Sequence, residues 1–99
     1  MALPKAITIK YGCDGTCKAQ LKHPHMKRGD LVVMVATNTD VTVDFLKASP
    51  FRSGNTHFSI PRMTALVEVV SGRSRDYPYT LTCSGCPSGI DDPSMIIDP

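Results

Sequence analysis

The stretch "YPYTLTCSGCPSGIDDPSMIID", residues 77–98, decides the reading of this chain. Its first seven residues alternate, with Tyr77, Tyr79, Leu81 and Cys83 on one face and Thr80 and Thr82 on the other. A period of two marks a strand with one face buried. The strand gives way to a turn-rich segment, "CPSGIDDP", and the apolar run "SMIID" closes the chain. Pro78 interrupts the strand and predicts a bulge or an unpaired edge there.

The same period recurs upstream. "AITIKY" places Ile7, Ile9 and Tyr11 together, "VTVDFL" places Val41, Val43 and Phe45 together, and "THFSI" places Phe58 and Ile60 together. "LVVMVAT" (31–37) is an unbroken apolar run, as expected of a strand covered on both sides. "ALVEVV" (65–70) sets Ala65, Val67 and Val69 opposite Glu68. Turn signals at 27–30, 37–40, 49–55, 71–76 and 86–93 separate the runs, and no window carries a capped helical stripe. The pattern predicts an all-β, two-sheet sandwich of about seven or eight strands. Its expected core is Ile7, Ile9, Val33, Val35, Val43, Phe45, Phe58, Val67, Val69, Tyr79 and Leu81.

Composition sets outer limits. A chain of 99 residues predicts one domain, 1–99. With 41% hydrophobic and 20% charged residues it has a globular balance, and a single glutamate beside many Val, Ile and Thr favours strands. A net charge of +2 is too small to argue for nucleic acid. No stretch reaches the length of a membrane-spanning helix, so no membrane partner is expected. "MALPKAITIKYG" has no apolar signal region, which leads to the expectation of a cytoplasmic protein. In a reducing cytosol, paired cysteines are more often metal ligands or redox groups than structural disulfides.

The four cysteines form two close pairs near the two ends of the chain, Cys13 with Cys17 and Cys83 with Cys86. Continuing the inward face of Ile7, Ile9 and Tyr11 reaches Cys13, and continuing that of Tyr77, Tyr79 and Leu81 reaches Cys83. Cys17 and Cys86 follow in short glycine-containing loops that can fold back on their partners.

The last third resembles the cupredoxin family, the fold of the blue copper proteins. "YPYTLTC" is similar to that family's aromatic-x-aromatic-x-x-x-Cys strand, and "DDPSMIIDP" to its closing strand. "RGDLVVMVATNTD" resembles its glycine-initiated strand and the asparagine-containing loop that follows. The resemblance implies a Greek-key sandwich in which the end of the first strand and the copper loop share a pole. That would gather Cys13, Cys17, Cys83 and Cys86 at one site. The family's copper site takes one His from the loop after the "VVMVATN" strand, then Cys, His and a weak axial Met from the late loop. Here residues 31–56 contain no His, Cys86 stands three after Cys83 where the family often has His, and Met95 belongs to the final strand. The expectation is a cupredoxin-like scaffold without a blue copper centre.

Four thiolates in two close pairs suit a tetrahedral structural zinc site of Cys13, Cys17, Cys83 and Cys86. Copper(I), a soft ion, would accept the same ligands. Disulfides across or within the pairs, or free thiols, are the alternatives. "HPHM" (23–26) offers His23, His25 and Met26 as an exposed copper patch, or simply a polar stretch before a turn. His57 reads as a surface or hydrogen-bonded histidine, and Asp91 and Asp92 as turn residues. No nucleophile, base and pocket signal occur together, so the chain is expected not to be an enzyme. Two function classes follow: a non-catalytic metal-binding module built on the four cysteines, or a copper-handling or electron-transfer protein using the same sulfurs. A disulfide-stapled protein-interaction domain is the third.

Overall fold

A computed structural model describes residues 4–87 and 93–99. Among these residues there is no helix, and the alternating segments form nine strands. They are β1 (Ala6–Asp14), β2 (Thr16–Ala19), β3 (His25–Met26), β4 (Leu31–Ala36), β5 (Val41–Phe45), β6 (His57–Ile60), β7 (Thr64–Val69), β8 (Arg75–Cys83) and β9 (Ser94–Ile97). One sheet has the order β2-β1-β4-β7 and the other β3-β9-β8-β5-β6. The pairs β1–β4 and β3–β9 are parallel, and the rest are antiparallel. Nine strands are close to the seven or eight expected; β2 and β3, which match none of the alternating runs named from the sequence, are short edge strands of four and two residues. Runs that brief carry too little alternation to be read from sequence.

The inner faces meet in one apolar core. Ile9 and Tyr11 of β1 and Val32, Met34 and Ala36 of β4 supply one side. Val41, Val43, Phe45, Tyr79, Leu81, Met95 and Ile97 supply the other. Phe45 sits edge-on to Phe51 and Phe58, with ring centroids 5.6 and 6.3 Å away. Edge-to-face pairs of this kind add about 0.5–1.5 kcal/mol each beyond their burial.

The core departs from expectation in β4 and β7. Val33 and Val35 are half-buried on the outer face of β4, while Val32, Met34 and Ala36 point inward. Cross-strand register sets Val33 opposite Val67, and Leu31 opposite Val69. Val67 is therefore outside and 55% exposed. The inward positions of β7 are Leu66 and Glu68, opposite Met34 and Val32. An unbroken apolar run has no phase to read, so the inner face of β4 could not be chosen from its own residues. In β7, an edge strand, Glu68 reaches out from the inner side to Ser53 Oγ. Inward-pointing charge on an edge strand discourages pairing with another chain.

Pro78 lies where β8 changes partners. β8 pairs with β9 over Arg75–Pro78 and with β5 over Tyr79–Cys83. The Pro78 carbonyl accepts from Leu46 N at 3.1 Å, just past the end of β5. The missing N–H thus falls outside the ladder, and the proline needs no bulge. The residues Asp91 and Asp92, read as a turn, lie outside the described residues.

Candidate functional site

The alternation of β1 carries Ile7, Ile9, Tyr11 and Cys13 along its core-facing side. Gly15, at φ 79°, then reverses the chain so tightly that Cys13 and Cys17 become cross-strand neighbours in the β1–β2 hairpin. A left-handed residue in so short a turn favours glycine. On the other sheet, β8 ends at buried Cys83, and Gly85 (φ 69°) turns the chain so that Cys86 N donates to Cys83 O at 3.3 Å. This turn is held from both flanks. Ser84 N donates to Asp40 O at 2.9 Å, Thr39 Oγ1 donates to Ser84 O at 2.9 Å, and Cys17 N donates to Pro87 O at 2.8 Å.

All four cysteines come together at this pole, as two disulfides. Cys13 is bonded to Cys86 and Cys17 to Cys83, with Cα–Cα distances of 6.2 and 5.4 Å. Both bonds run from the β1–β2 hairpin across to the end of β8 and so tie one sheet to the other. Side by side on one strand pair, Cys13 and Cys17 both face the opposite sheet, which presents Cys83 and Cys86. Cys17 and Cys83 are each 3% exposed, whereas Cys13 and Cys86 are half-buried. The expected four-thiolate zinc shell is corrected accordingly. Two-electron oxidation to a disulfide removes the thiolate charge with which a cysteine sulfur binds zinc, so neither bonded pair supplies a zinc ligand.

The loop after β4 organises the pole, a role the sequence marked only as a turn. Asn38 Oδ1 accepts from Cys13 N and Asn38 Nδ2 donates to Cys13 O, both at 2.8 Å. The side-chain amide thereby continues the β1 ladder beyond the last β4 residue. Thr37 donates to Tyr11 O from its backbone N at 2.9 Å and from Oγ1 at 2.8 Å. The approach is close because residue 12 is glycine; a Cβ there would lie 2.5 Å from Thr37 Oγ1 and 2.9 Å from Asn38 Oδ1.

Beneath the disulfides, Tyr11 and Tyr79 share a hydrogen bond between their hydroxyls at 3.2 Å. Burial pushes the Tyr79 phenol up to about 12. Burial also holds Tyr11 well above the usual tyrosine range, and Tyr79 beside it adds to the shift. The pair satisfies two polar groups that would otherwise be buried alone. Both phenols stay neutral at physiological pH.

None of the three histidines lies at the cysteine pole. His23 Nδ1 is 3.0 Å from Ser94 Oγ, and His25 Nδ1 is 2.9 Å from Asp98 Oδ1. Met26 is buried in the core, so "HPHM" does not present its thioether beside its imidazoles. His57 Nδ1 bonds Asp44 across β5 and β6, with Ser59 Oγ 3.4 Å from Nε2. This line has the order of a nucleophilic triad, but it lies on the open outer face of a sheet, with His57 and Asp44 side chains 63% and 44% exposed. Nothing there shields a substrate from water. Among the described residues, no group of three or more His, Cys, Asp or Glu side chains is placed to hold a metal ion.

No protein-family model matches the chain, and no curated protein matches it. Solved structures do. An oxidised methionine-to-lysine variant of amicyanin superposes with a TM-score of 0.63 at 16% identity, over 94% of this chain and 82% of that one. A Cu(I) form of a methionine-to-alanine variant gives 0.62 at 16% identity, over the same shares. Amicyanin from Paracoccus versutus gives 0.59 at 16% identity, over 94% and 81%. Likeness at this identity establishes the fold. The residues at the pole do not fit a blue copper ion: Cys83 Sγ is bonded to Cys17, Cys86 to Cys13, no imidazole is near, and Met95 is fully buried in β9. The chain has a cupredoxin-like fold in which two inter-sheet disulfides stand at the pole where the sequence resemblance implies a copper loop.

Proposed function

We propose that this chain is a non-catalytic binding module, a cupredoxin-like sandwich closed by disulfides and working through its surface rather than through a reactive centre. The observation that carries this reading is the bond between Cys83, the last residue of β8, and Cys17 of the facing hairpin. It consumes the sulfur that a blue copper ion would need. Disulfides persist in oxidising compartments, and the stapled form belongs in one.

The surface offered to a protein partner is the outer face of the sheet β2-β1-β4-β7. Leu31, Val33, Val35, Val67 and Val69 form its apolar part, with exposed Lys10 and Lys18 along its β1–β2 border. Such a face suits an apolar partner surface edged with carboxylates. A second copy of this chain would set lysines against lysines. The reading is tested by counting free thiols in denaturant without reductant and by titrating the native protein with Cu(II). No free thiol and no intense visible band are expected. An intense thiolate-to-copper band in the native protein would overturn it.

A further inference from the structure

We propose that the end of the sandwich opposite the disulfides binds a phosphate group, free or carried on a small organic molecule, in a cleft lined by Lys5, His25, Lys27 and Arg28. The inference goes beyond the binding-module reading and does not depend on any protein partner.

The cleft is built by the start of the sheets. β1 runs nine residues from Ala6 to Asp14, so Lys5 lies roughly 25 Å from the cysteines. There a cleft of about 580 Å³ opens between Lys5, His25 of β3 and the turn that precedes β4. Clefts of about 300–1,000 Å³ are of small-molecule size. In the turn, Asp30 N donates to Lys27 O at 3.0 Å and Gly29 has φ 91°. With glycine third, the turn presents Arg28 at its corner. Arg28 Nε donates to Gly72 O at 3.1 Å, which anchors the guanidinium and leaves its two Nη groups for a ligand. Asp30 is buried, and both of its oxygens accept backbone N–H groups: Oδ1 from Lys5 at 3.1 Å and Oδ2 from Lys27 at 2.9 Å. One carboxylate thus pins side by side the two segments that carry the lysines. Among the described residues, neither lysine ammonium has a partner.

The charges favour an anion. Lys5, Lys27 and Arg28 exceed Asp30 and Asp98 by one positive charge, and each carboxylate is already turned onto an internal group. Asp98 Oδ1 is 2.9 Å from His25 Nδ1, which leaves the imidazole's Nε2 as a further ligand-binding atom. Donors on three separate segments suit the several oxygens of a phosphate dianion better than the two of a carboxylate. The guanidinium binds two of those oxygens as a fork, and the ammonium groups act on the others as point charges. Lys27, Arg28 and Asp98 also line an adjoining hollow of about 390 Å³ with Ser74. The room therefore exceeds one phosphate and accommodates an organic group attached to it.

The test titrates the isotope-labelled full chain with phenyl phosphate at constant ionic strength and follows the backbone amide resonances. Inorganic phosphate, acetate and phenol are titrated in parallel. The expected result is saturable shifts confined to Lys5, His25 and residues 27–30, with no saturable change for acetate or phenol. Tighter binding of phenyl phosphate than of inorganic phosphate identifies an organic phosphate as the ligand, and equal binding identifies the free ion; both support the site. Arg28→Gln and Lys5→Gln, each folded by its amide spectrum, should bind at least about tenfold more weakly, the loss of one charge-assisted hydrogen bond. Arg62→Gln removes the same charge at the cysteine end, where Arg62 N donates to Asp40 Oδ1, and should bind as the wild type does. The proposal is overturned if the shifts grow without saturation, or spread over lysines at both ends of the molecule. It is overturned equally if acetate binds as tightly as phosphate, or if Arg28→Gln and Lys5→Gln bind no more weakly than Arg62→Gln.

Discussion

The two disulfides are nested, and nesting makes a specific claim about their energetics. The Cys17–Cys83 bond, with a sequence separation of 66, lies inside the Cys13–Cys86 bond, with a separation of 73. Closing either loop alone in the unfolded chain restricts it by about 4.4 kcal/mol at 25 °C. Once one bond exists, the other closes only the small ring from Cys13 to Cys17 and Cys83 to Cys86. That ring, roughly nine residues, is worth about 2.6 kcal/mol. Removing one bond, as Cys13→Ala/Cys86→Ala or Cys17→Ala/Cys83→Ala, should therefore cost about 2.6 kcal/mol of chain entropy, and removing both about 7 kcal/mol. The quadruple variant should lose about 1.8 kcal/mol more than the two single losses together. The buried inner pair adds some lost packing to its own figure, so the coupling is the better test than either single value. Urea unfolding with freely fitted slopes measures all three. A quadruple variant that stays folded and loses no more than the sum of the two would refute the nested pairing.

Other outcomes follow from the core. Tyr79→Phe leaves the Tyr11 hydroxyl buried without its partner and should cost about 1–3 kcal/mol, while Tyr11→Phe with Tyr79→Phe should cost less than the two singles summed; strict additivity in denaturant melts would contradict the shared bond. Both phenols are raised above the ordinary value of 10.0, so the folded state holds protons that the unfolded chain gives up. Stability should be unaffected by these groups below about pH 10 and fall as pH rises toward about 12, and melting temperatures that hold constant across that window would count against their burial. Met34→Ala should cost about 2–5 kcal/mol, whereas Val67→Thr should stay within about 0.5 kcal/mol. The reverse ranking would mean that the faces of β4 and β7 have been assigned the wrong way round.

Most of the sandwich was legible because alternation and turn chemistry act locally. Ile9, Tyr11, Val43, Phe45, Phe58, Tyr79 and Leu81 all lie where their phase put them. Phase failed where it carried no information. Both faces of "LVVMVA" are apolar, and in β7 the lone Glu68 pointed the reading toward Ala65, Val67 and Val69 as the inner side, although as an edge residue it can lean out to Ser53. The gathering of the cysteines could be inferred from strand phase together with the cupredoxin-like connectivity. Their pairing could not, because the hairpin and the turn bring each local pair close as well, and only the opposition of the two sheets selects bonds across. The Asn38 clamp on Cys13 left no trace in the sequence beyond an asparagine in a turn.

The central claim is that the sulfurs at this pole join the two sheets, and disulfide connectivity tests it most directly. Protein purified without reductant can be partially reduced, alkylated in steps and mapped by fragmentation mass spectrometry. The account predicts Cys13 with Cys86 and Cys17 with Cys83, with Cys13–Cys86 opened first. Bonds within the local pairs, Cys13 with Cys17 and Cys83 with Cys86, would contradict it.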